Sequence, residues 1–585
     1  MTDNIAIFDQ QPADRATATT VRAADRWLGW LFWTAVVAAL LFQLGRVALF
    51  DPDEGRNSEK AREILVLNDW VTPHENFYPV LDKPIFFYWL VALSYKLFGV
   101  SEWSARLPSA LAALGCLIIV YRFVDTRWGR WEALWSALIL LTCAEFFILA
   151  RIVIPDMPLT FFLTLALCAF YEAVHTDEAK RRRLWCLAMY VSLGAATLIK
   201  GLIGVAIPGM VYLFYLLLTH RWSILRRIYL IPGALIFLAI VLPWYLQADA
   251  RNVGYLRYFI WDEHFGRFTS ENFDRTEPWY YFILVGLIGF FPWTLLLPFV
   301  VREYRKKSLD DKTLFLTLWV GLPFFFFSAS ESKLAHYLLP IFPALSILTA
   351  AALVTLWRKT ETIRLAFSLI WLAQSLAILY LIAGAIIPAI LPVPIRAGVG
   401  AMPQFFWFYG AFLVLSFAYL SVSSATRRLP TQPQLYLVHG FGMLLFLVFA
   451  VEIMFLVSHD RSARAVAEKV LSQVRESTQL VFYETHLAGM AFYLRAERPI
   501  WLVTHSDKKR TFLGHYYDVA DRKDLTTPWG DAIFDYEEFR EKWQTAKQPL
   551  LVVVKDKNLS RLARNVGEAP KKLAAVDGYA LVTKQ

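Results

Sequence analysis

Residues 28–50 read LGWLFWTAVVAALLFQLGRVALF, and residues 51–56, immediately after them, read DPDEGR. The first stretch is apolar over more than the roughly 20 helical residues needed to cross a ~30 Å hydrocarbon core. The second places three acids and an arginine directly at its end. An apolar span opening onto a cluster of charge repeats along the chain, at 229–246 among other places.

Composition supports the same reading. Of 585 residues 57% are hydrophobic and 18% charged, which excludes a row of soluble domains. The 22 Trp and 45 Phe suit interfacial belts. Hydropathy predicts about thirteen spans, at 27–49, 105–124, 132–150, 157–175, 184–199, 201–219, 228–247, 279–300, 312–328, 336–357, 364–387, 405–423 and 435–457. Residues 85–99 are apolar but too short to cross, and read as an interfacial or re-entrant helix. Residues 1–26 are polar, and the first apolar run is too long for a cleavable signal.

The net charge of +10 lies in short clusters between spans. With a cytoplasmic N-terminus, the loops placed inside carry Arg127 and Arg130, Lys180 to Arg183, Arg221, Arg226 and Arg227. Later ones carry Arg302, Arg305, Lys306, Lys307, Arg358, Lys359, Arg364, Arg427 and Arg428. Loops placed outside are poorer in Lys and Arg, so the charge reports topology rather than nucleic-acid binding. Cys116, Cys143, Cys168 and Cys186 form no CxxC pair and read as small core residues.

The expected organisation is therefore mainly α. A cytoplasmic tail (1–26) precedes a polytopic transmembrane bundle (27–457) with an extracytoplasmic loop (50–104). A small extracytoplasmic α/β domain (458–585) follows, with strands at 480–483 and 550–554 and helical spacing at 487–494 and 558–566.

Polar clusters gather in the outside loops: Asp51 to Arg56, Asp82-Lys83-Pro84, Arg151, Ile154 to Pro158, Lys200-Gly201, Asp262 to Phe268, and Glu331 to Tyr337. Ionisable groups collected at one membrane face point to a functional site. Each also has a plainer reading. Asp51 and Glu54 fit a helix start, Asp53 and Asp156 fit either a helix start or a site, and Lys83 and Lys200 fit snorkelling lysines. His264 fits a solvated loop histidine.

As an ordered set, these elements resemble the GT-C superfamily of membrane glycosyltransferases, in the branch of the lipid A aminoarabinose transferases and, more distantly, the protein O-mannosyltransferases. The resemblance rests on Asp53-Glu54-Gly55-Arg56, Asp82-Lys83-Pro84, Asp156-Met157-Pro158-Leu159, Lys200-Gly201, His264-Phe265-Gly266-Arg267-Phe268 and Ser332-Lys333-Leu334-Ala335-His336-Tyr337. Three positions depart from that branch: Asp82 where Glu is common, Asn57 where Tyr is frequent, and Ala335-His336 in place of a Pro-Thr pair. These leave the sugar and the acceptor open.

The resemblance implies a polyprenyl-phosphate sugar donor, such as an undecaprenyl-phosphate sugar, and an inverting transfer. The acceptor is a glycolipid such as lipid A or, alternatively, a protein. The setting is a bacterial-type inner membrane, and the enzyme is expected to be a monomer among membrane lipids. Asp53, Asp156 and Arg56 are the catalytic candidates. Lys83, Arg267, Lys200, Lys333 and Tyr337 are candidates for the donor phosphate, where fixed cations oppose developing charge. Asp53, Asp156, Asp82 and His264 form an alternative set for a divalent metal, Mg²⁺, Mn²⁺ or Zn²⁺. A transporter or flippase would instead call for an inverted repeat and mid-membrane ionisable groups; no repeat is visible, and Glu145 and Glu452 are the main acids within apolar spans.

Overall fold

The computed structural model describes residues 29–266, 277–306, 309–357, 432–474, 477–506 and 527–584, with single positions inside 358–431. The architecture is mainly helical. The helix Glu102–Arg127 shows why these segments form: Ser101 and Ser104 make a reciprocal capping box, Glu102 lies in the first turn and Arg127 in the last. Both charges oppose the helix dipole. Its 26 residues extend about 39 Å.

Among the described residues, four helices are long and apolar enough to cross a membrane: Glu102–Arg127, Asp156–His175, Leu230–Arg251 and Ala335–Leu356. The pair Tyr281–Gly289 and Trp293–Tyr304 makes a fifth if taken as one span, bent by 104°. Pro292 lies at that bend, lacking an N–H and restricting the residue before it.

Several of the expected spans are divided or shortened, while Asp311–Ser328 and Gln432–Asp460 are continuous helices over two others. The span at 132–150 divides at Cys143, whose backbone is extended, into Arg130–Thr142 and Ala144–Leu149. Gly201, at φ +68°, ends Ala179–Lys200 before the 17-residue helix Ile203–Thr219 begins. The expected spans 364–387 and 405–423 lie outside the described residues. The segment 85–99 is a 13-residue helix, Phe86–Phe98.

The first span departs most informatively. Its helix, Gly29–Leu41, stops well before residue 49. Two guanidinium groups from elsewhere take the freed carbonyls. Arg151 donates to Ala39, Leu40 and Phe42, and Arg106 to Leu44, Val47 and Ala48. Irregular backbone at this depth requires such internal partners. Arg106 also makes a two-point ion pair with Glu54 (2.9 and 2.7 Å), each residue only 1% exposed. Glu54 accepts the Val153 and Phe50 N–H groups as well, at 2.8 and 3.0 Å. Four chain segments thus meet at one buried pair.

Residues beyond 478 form a six-stranded sheet ordered Ile533–Phe534, Trp501–Val503, Gln479–Tyr483, Leu550–Lys555, Tyr579–Thr583, Lys571–Val576. The first four strands are parallel, with Leu480 opposite Leu551 and Val481 opposite Val552. The last two join antiparallel. The helices Met490–Leu494 and Leu559–Val566 fall within the stretches of helical spacing. This α/β unit is stitched to the 50–104 loop. The Asn76 side chain donates to the Ile500 carbonyl and accepts its N–H (2.9 and 2.8 Å), and the Ala532 N–H donates to Tyr78 Oη (2.7 Å).

Replacing Arg106 with Ala leaves Glu54 charged and buried without its partner, a change worth about 3–5 kcal/mol. Thermal unfolding of purified Arg106→Ala protein in detergent is expected to show a marked fall in midpoint. Glu54→Gln, which keeps the shape but leaves the Arg106 guanidinium buried without its counter-ion, is expected to lower the midpoint as well.

Candidate functional site

The helix Asp53–Leu67 is rich in charge, yet most of it is buried. Asp53, Arg56 and Lys60 recur at intervals of three and four and so share one face. The hairpin His74–Glu75/Tyr78–Pro79 places Glu75 against that face. Glu75 pairs with Arg56 Nε at 2.9 Å and Lys60 Nζ at 3.6 Å, and approaches His486 Nε2 at 3.4 Å. Lys60, wholly buried, also donates to Asp82 at 2.8 Å.

A second group comes from three helix ends. Asp156 begins the Asp156–His175 helix and accepts from Lys200 Nζ at 2.5 Å. His336 Nε2 lies 3.7 Å from its other oxygen. The Lys200 ammonium stands 4.6 Å from the centre of the Tyr337 ring, within cation–π range. The helix-start reading of Asp156 is therefore incomplete: its side chain caps nothing. Asp51 is corrected likewise, since its carboxylate accepts the Gly489 N–H at 2.7 Å rather than capping a helix.

Both groups line one cavity of about 510 Å³. Asp53, Arg56, Asp82, Lys83, Asp156, Lys200 and Tyr337 from the expected site all reach it. A recess of about 110 Å³ adjoins it, sharing Lys83, Lys200 and Tyr337. Its further walls combine apolar side chains, from Leu159, Ile203, Phe259, Phe326 and Phe327, with Glu263, Ser330 and Ser332.

The electrostatics separate paired from available groups. Burial alone would raise the Glu75 carboxyl, but Arg56, His486 and Lys60 outweigh it and hold it at about 2. Burial is likewise outweighed at Asp82 by Lys60, Lys83 and Arg56, which keep the carboxyl well below its usual range. Arg56 is raised further, chiefly by Glu75. Lys83 differs. It has no ion pair among the described residues, and burial, aided by Lys60 and Lys200 against Asp82, pulls its ammonium below the ordinary lysine value. Asp53 is exposed and lines the cavity, and it is the one acid of the expected set without an ion pair among the described residues.

Two expectations change, and a third falls on residues that are not described. Lys333 does not line the cavity; its ammonium donates to the Glu277 carbonyl at 3.0 Å. Arg267 and the side chain of His264 lie outside the described residues. The metal set is not supported: no group of three or more His, Cys, Asp or Glu converges on a metal position among the described residues. The physical reason is that Asp82 and Asp156 already face lysines, leaving their oxygens committed to ammonium groups.

The sequence reading missed Lys60, Glu75 and His486, and gave Glu263, within its Asp262 to Phe268 cluster, no role. Lys60 was readable from its spacing after Arg56. Glu75 and His486 meet across 411 positions and carry no local signal.

The family described as "Dolichyl-phosphate-mannose-protein mannosyltransferase" matches residues 82–246. The undecaprenyl phosphate-alpha-4-amino-4-deoxy-L-arabinose arabinosyl transferase of Aeromonas salmonicida is 33% identical over 333 residues, 56% of this chain and 60% of that protein. The protein of the same name from Pseudomonas paraeruginosa is 30% identical over 340 residues, 57% and 61% of the two chains. The crystal structure of ArnT from Cupriavidus metallidurans bound to undecaprenyl phosphate superposes with a TM-score of 0.79 at 26% identity, covering 95% of this chain and 98% of that one. In fold and in sequence the chain is similar to membrane glycosyltransferases of the GT-C type. The likeness in sequence is to proteins named as aminoarabinose transferases. The chain spans about 60% of the length of the curated relatives it matches.

The Glu75 carboxyl, held at about 2 against an ordinary 4.5, stabilises the fold fully above pH 4.5 and loses that contribution as pH falls toward 2. The contribution is on the order of 3 kcal/mol. Acid unfolding of Glu75→Gln is expected to start from a lower stability at neutral pH and to fall less steeply between pH 4.5 and 2 than that of wild type.

Proposed function

We propose that the chain is an inverting glycosyltransferase, moving a sugar from a polyprenyl-phosphate donor to an extracytoplasmic acceptor, a lipid A or related envelope glycolipid. The observation that carries this is Lys83: a desolvated ammonium, without an ion pair among the described residues, lining both the charged cavity and the adjoining recess. A sugar on an isoprenoid phosphodiester needs such a boundary, with cations for the phosphate and apolar walls for the first part of the chain.

In the reaction an acceptor oxygen bonds to the sugar C1 while the C1–O bond to phosphate breaks, and the phosphate leaves with the electron pair. Cations fixed beside that oxygen stabilise the charge that develops, by up to about 3 kcal/mol per contact. Lys83 is the first such cation; Lys200 and Arg56 act behind it through their pairs with Asp156 and Glu75. Asp53 is free to take the proton of an acceptor hydroxyl; an acceptor phosphate, already ionised, requires no base. The relatives' names and the bound undecaprenyl phosphate of the structural neighbour support the donor class; the glycolipid acceptor follows the resemblance to the lipid A aminoarabinose transferases. A protein acceptor draws only on the description of the family matched over 82–246. We place residues 27–457 as the catalytic membrane domain, acting as a monomer at the periplasmic face of the inner membrane, and residues 458–585 as the extracytoplasmic domain on the same side.

Donor binding should weaken as alkaline pH removes the Lys83 proton, and at lower pH than an ordinary lysine would dictate. Purified protein is expected to transfer from the lipid-linked sugar and ignore the nucleotide sugar. Lys83→Ala should raise the donor KM at least tenfold. Lys83→Arg should rescue it in part and abolish the alkaline loss, because a guanidinium stays charged. Efficient transfer from the nucleotide sugar alone would contradict the proposal.

A further inference from the structure

A cavity of about 850 Å³ lies at the other end of the bundle. It is bounded by three helices: Glu102–Arg127, Asp156–His175 and Ala179–Lys200. Asp156 begins the second of these in the site described above, while Glu172 lines the new cavity sixteen residues later. The two cavities are therefore separated by about 24 Å along that helix, near its opposite ends, and the expected topology puts the new one on the cytoplasmic side.

Each wall carries the same gradient. On the first helix, Arg122 lies one turn beyond Ile118; on the second, Glu172 lies two turns beyond Leu165. On the third, which runs the other way, Arg181 precedes Leu184 and Ala188. These are i, i+3, i+4 and i+7 intervals, so each set shares one face. Charge gathers at the helix ends and apolar surface extends inward for one to two turns.

The charge does not cancel. Three arginines and one carboxylate line the cavity. Arg127 and Glu172 neutralise each other through a two-point pair at 2.8 and 2.7 Å. Arg181 has a single exposed contact at 3.2 Å, between its Nε and Glu178. The exposed Arg122 guanidinium makes no ion pair or hydrogen bond among the described residues. Two cations thus face a groove whose walls are apolar. Ile118 (41% exposed) and Leu184 (58%) are exposed beside it, and Trp185, of the residue type that concentrates at membrane interfaces, also lines it.

We infer that this groove binds an anionic phospholipid, with its phosphate between Arg122 and Arg181 and an acyl chain against Ile118, Leu165, Leu184 and Ala188. Basic recesses between helices at the cytoplasmic side suit such headgroups. A free phosphate would leave the apolar walls unused, and a zwitterionic lipid would leave the two cations unneutralised.

The test is native mass spectrometry of the full chain released from detergent, titrated separately with phosphatidylglycerol and phosphatidylcholine. One phosphatidylglycerol should be retained at concentrations where phosphatidylcholine is not. The double variant Arg122→Gln/Arg181→Gln should weaken that binding roughly thirtyfold, at about one surface-lipid interaction per cation lost. Ala188→Trp, which fills the apolar part and keeps both arginines, should also lose the lipid, while Arg122→Lys/Arg181→Lys retains it. Unfolding temperatures matching wild type establish that each variant is folded. Equal retention of the two phospholipids, wild-type affinity in the glutamine double variant, or displacement by millimolar glycerol phosphate would each overturn the inference.

Discussion

The buried ion pair between Glu54 and Arg106 is the constraint on which the rest of the site depends. Both groups are cut off from water, so neither is tolerable without the other. Their remaining hydrogen-bonding capacity is spent on backbone: Arg106 on the carbonyls of the unwound 42–48 stretch, Glu54 on the N–H groups of Phe50 and Val153. One pair therefore fixes where the first span ends and where the Asp53–Leu67 helix begins. It also sets how close the segment leading to Asp156 can come. Asp53 precedes Glu54 and Arg56 follows two residues later, so the pair orients both toward the cavity.

Within the cavity, most charges already have partners. Arg56 and Lys60 share Glu75, Lys60 reaches on to Asp82, and Lys200 holds Asp156. Such pairing fixes side chains in place without exhausting the site. Lys83 and Asp53 have no ion pair among the described residues, and they are the two groups that the proposed transfer calls on: a cation for the leaving phosphate and a base for an acceptor hydroxyl. Preorganised charge of this kind stabilises a transition state without reorganising during the reaction. The α/β unit takes part as well, because His486 approaches Glu75 and Asn76 is bound to Ile500.

How much of this was legible in the sequence follows the range of each interaction. The strands at 480–483 and 550–554 were readable because buried parallel strands are continuously apolar, and the structure pairs them side by side. The motifs from Asp53 to Tyr337 were readable because polar residues in a chain so apolar have few places to be. The early end of the first helix was not, since its cause is two arginines from positions 106 and 151. The division at Cys143 had no proline or glycine to announce it. Glu75 was hidden for a related reason: nothing beside it in the chain hints that Arg56 and Lys60 converge on it. The metal reading came from counting acids without their counter-ions, and the lysines that answer Asp82 and Asp156 are what displaced it.

The central claim is that this cavity joins a lipid-linked sugar to an envelope glycolipid, with Asp53 in direct contact with the reacting groups. Mass spectrometry of lipid A and other glycolipids, from cells lacking the gene and complemented with wild type or Asp53→Asn, tests it most directly. Wild type is expected to restore a single-sugar mass increment that is absent from the deletion strain, and folded Asp53→Asn to restore little or none of it. An unchanged glycolipid profile across all strains, or full restoration by Asp53→Asn, would contradict the account.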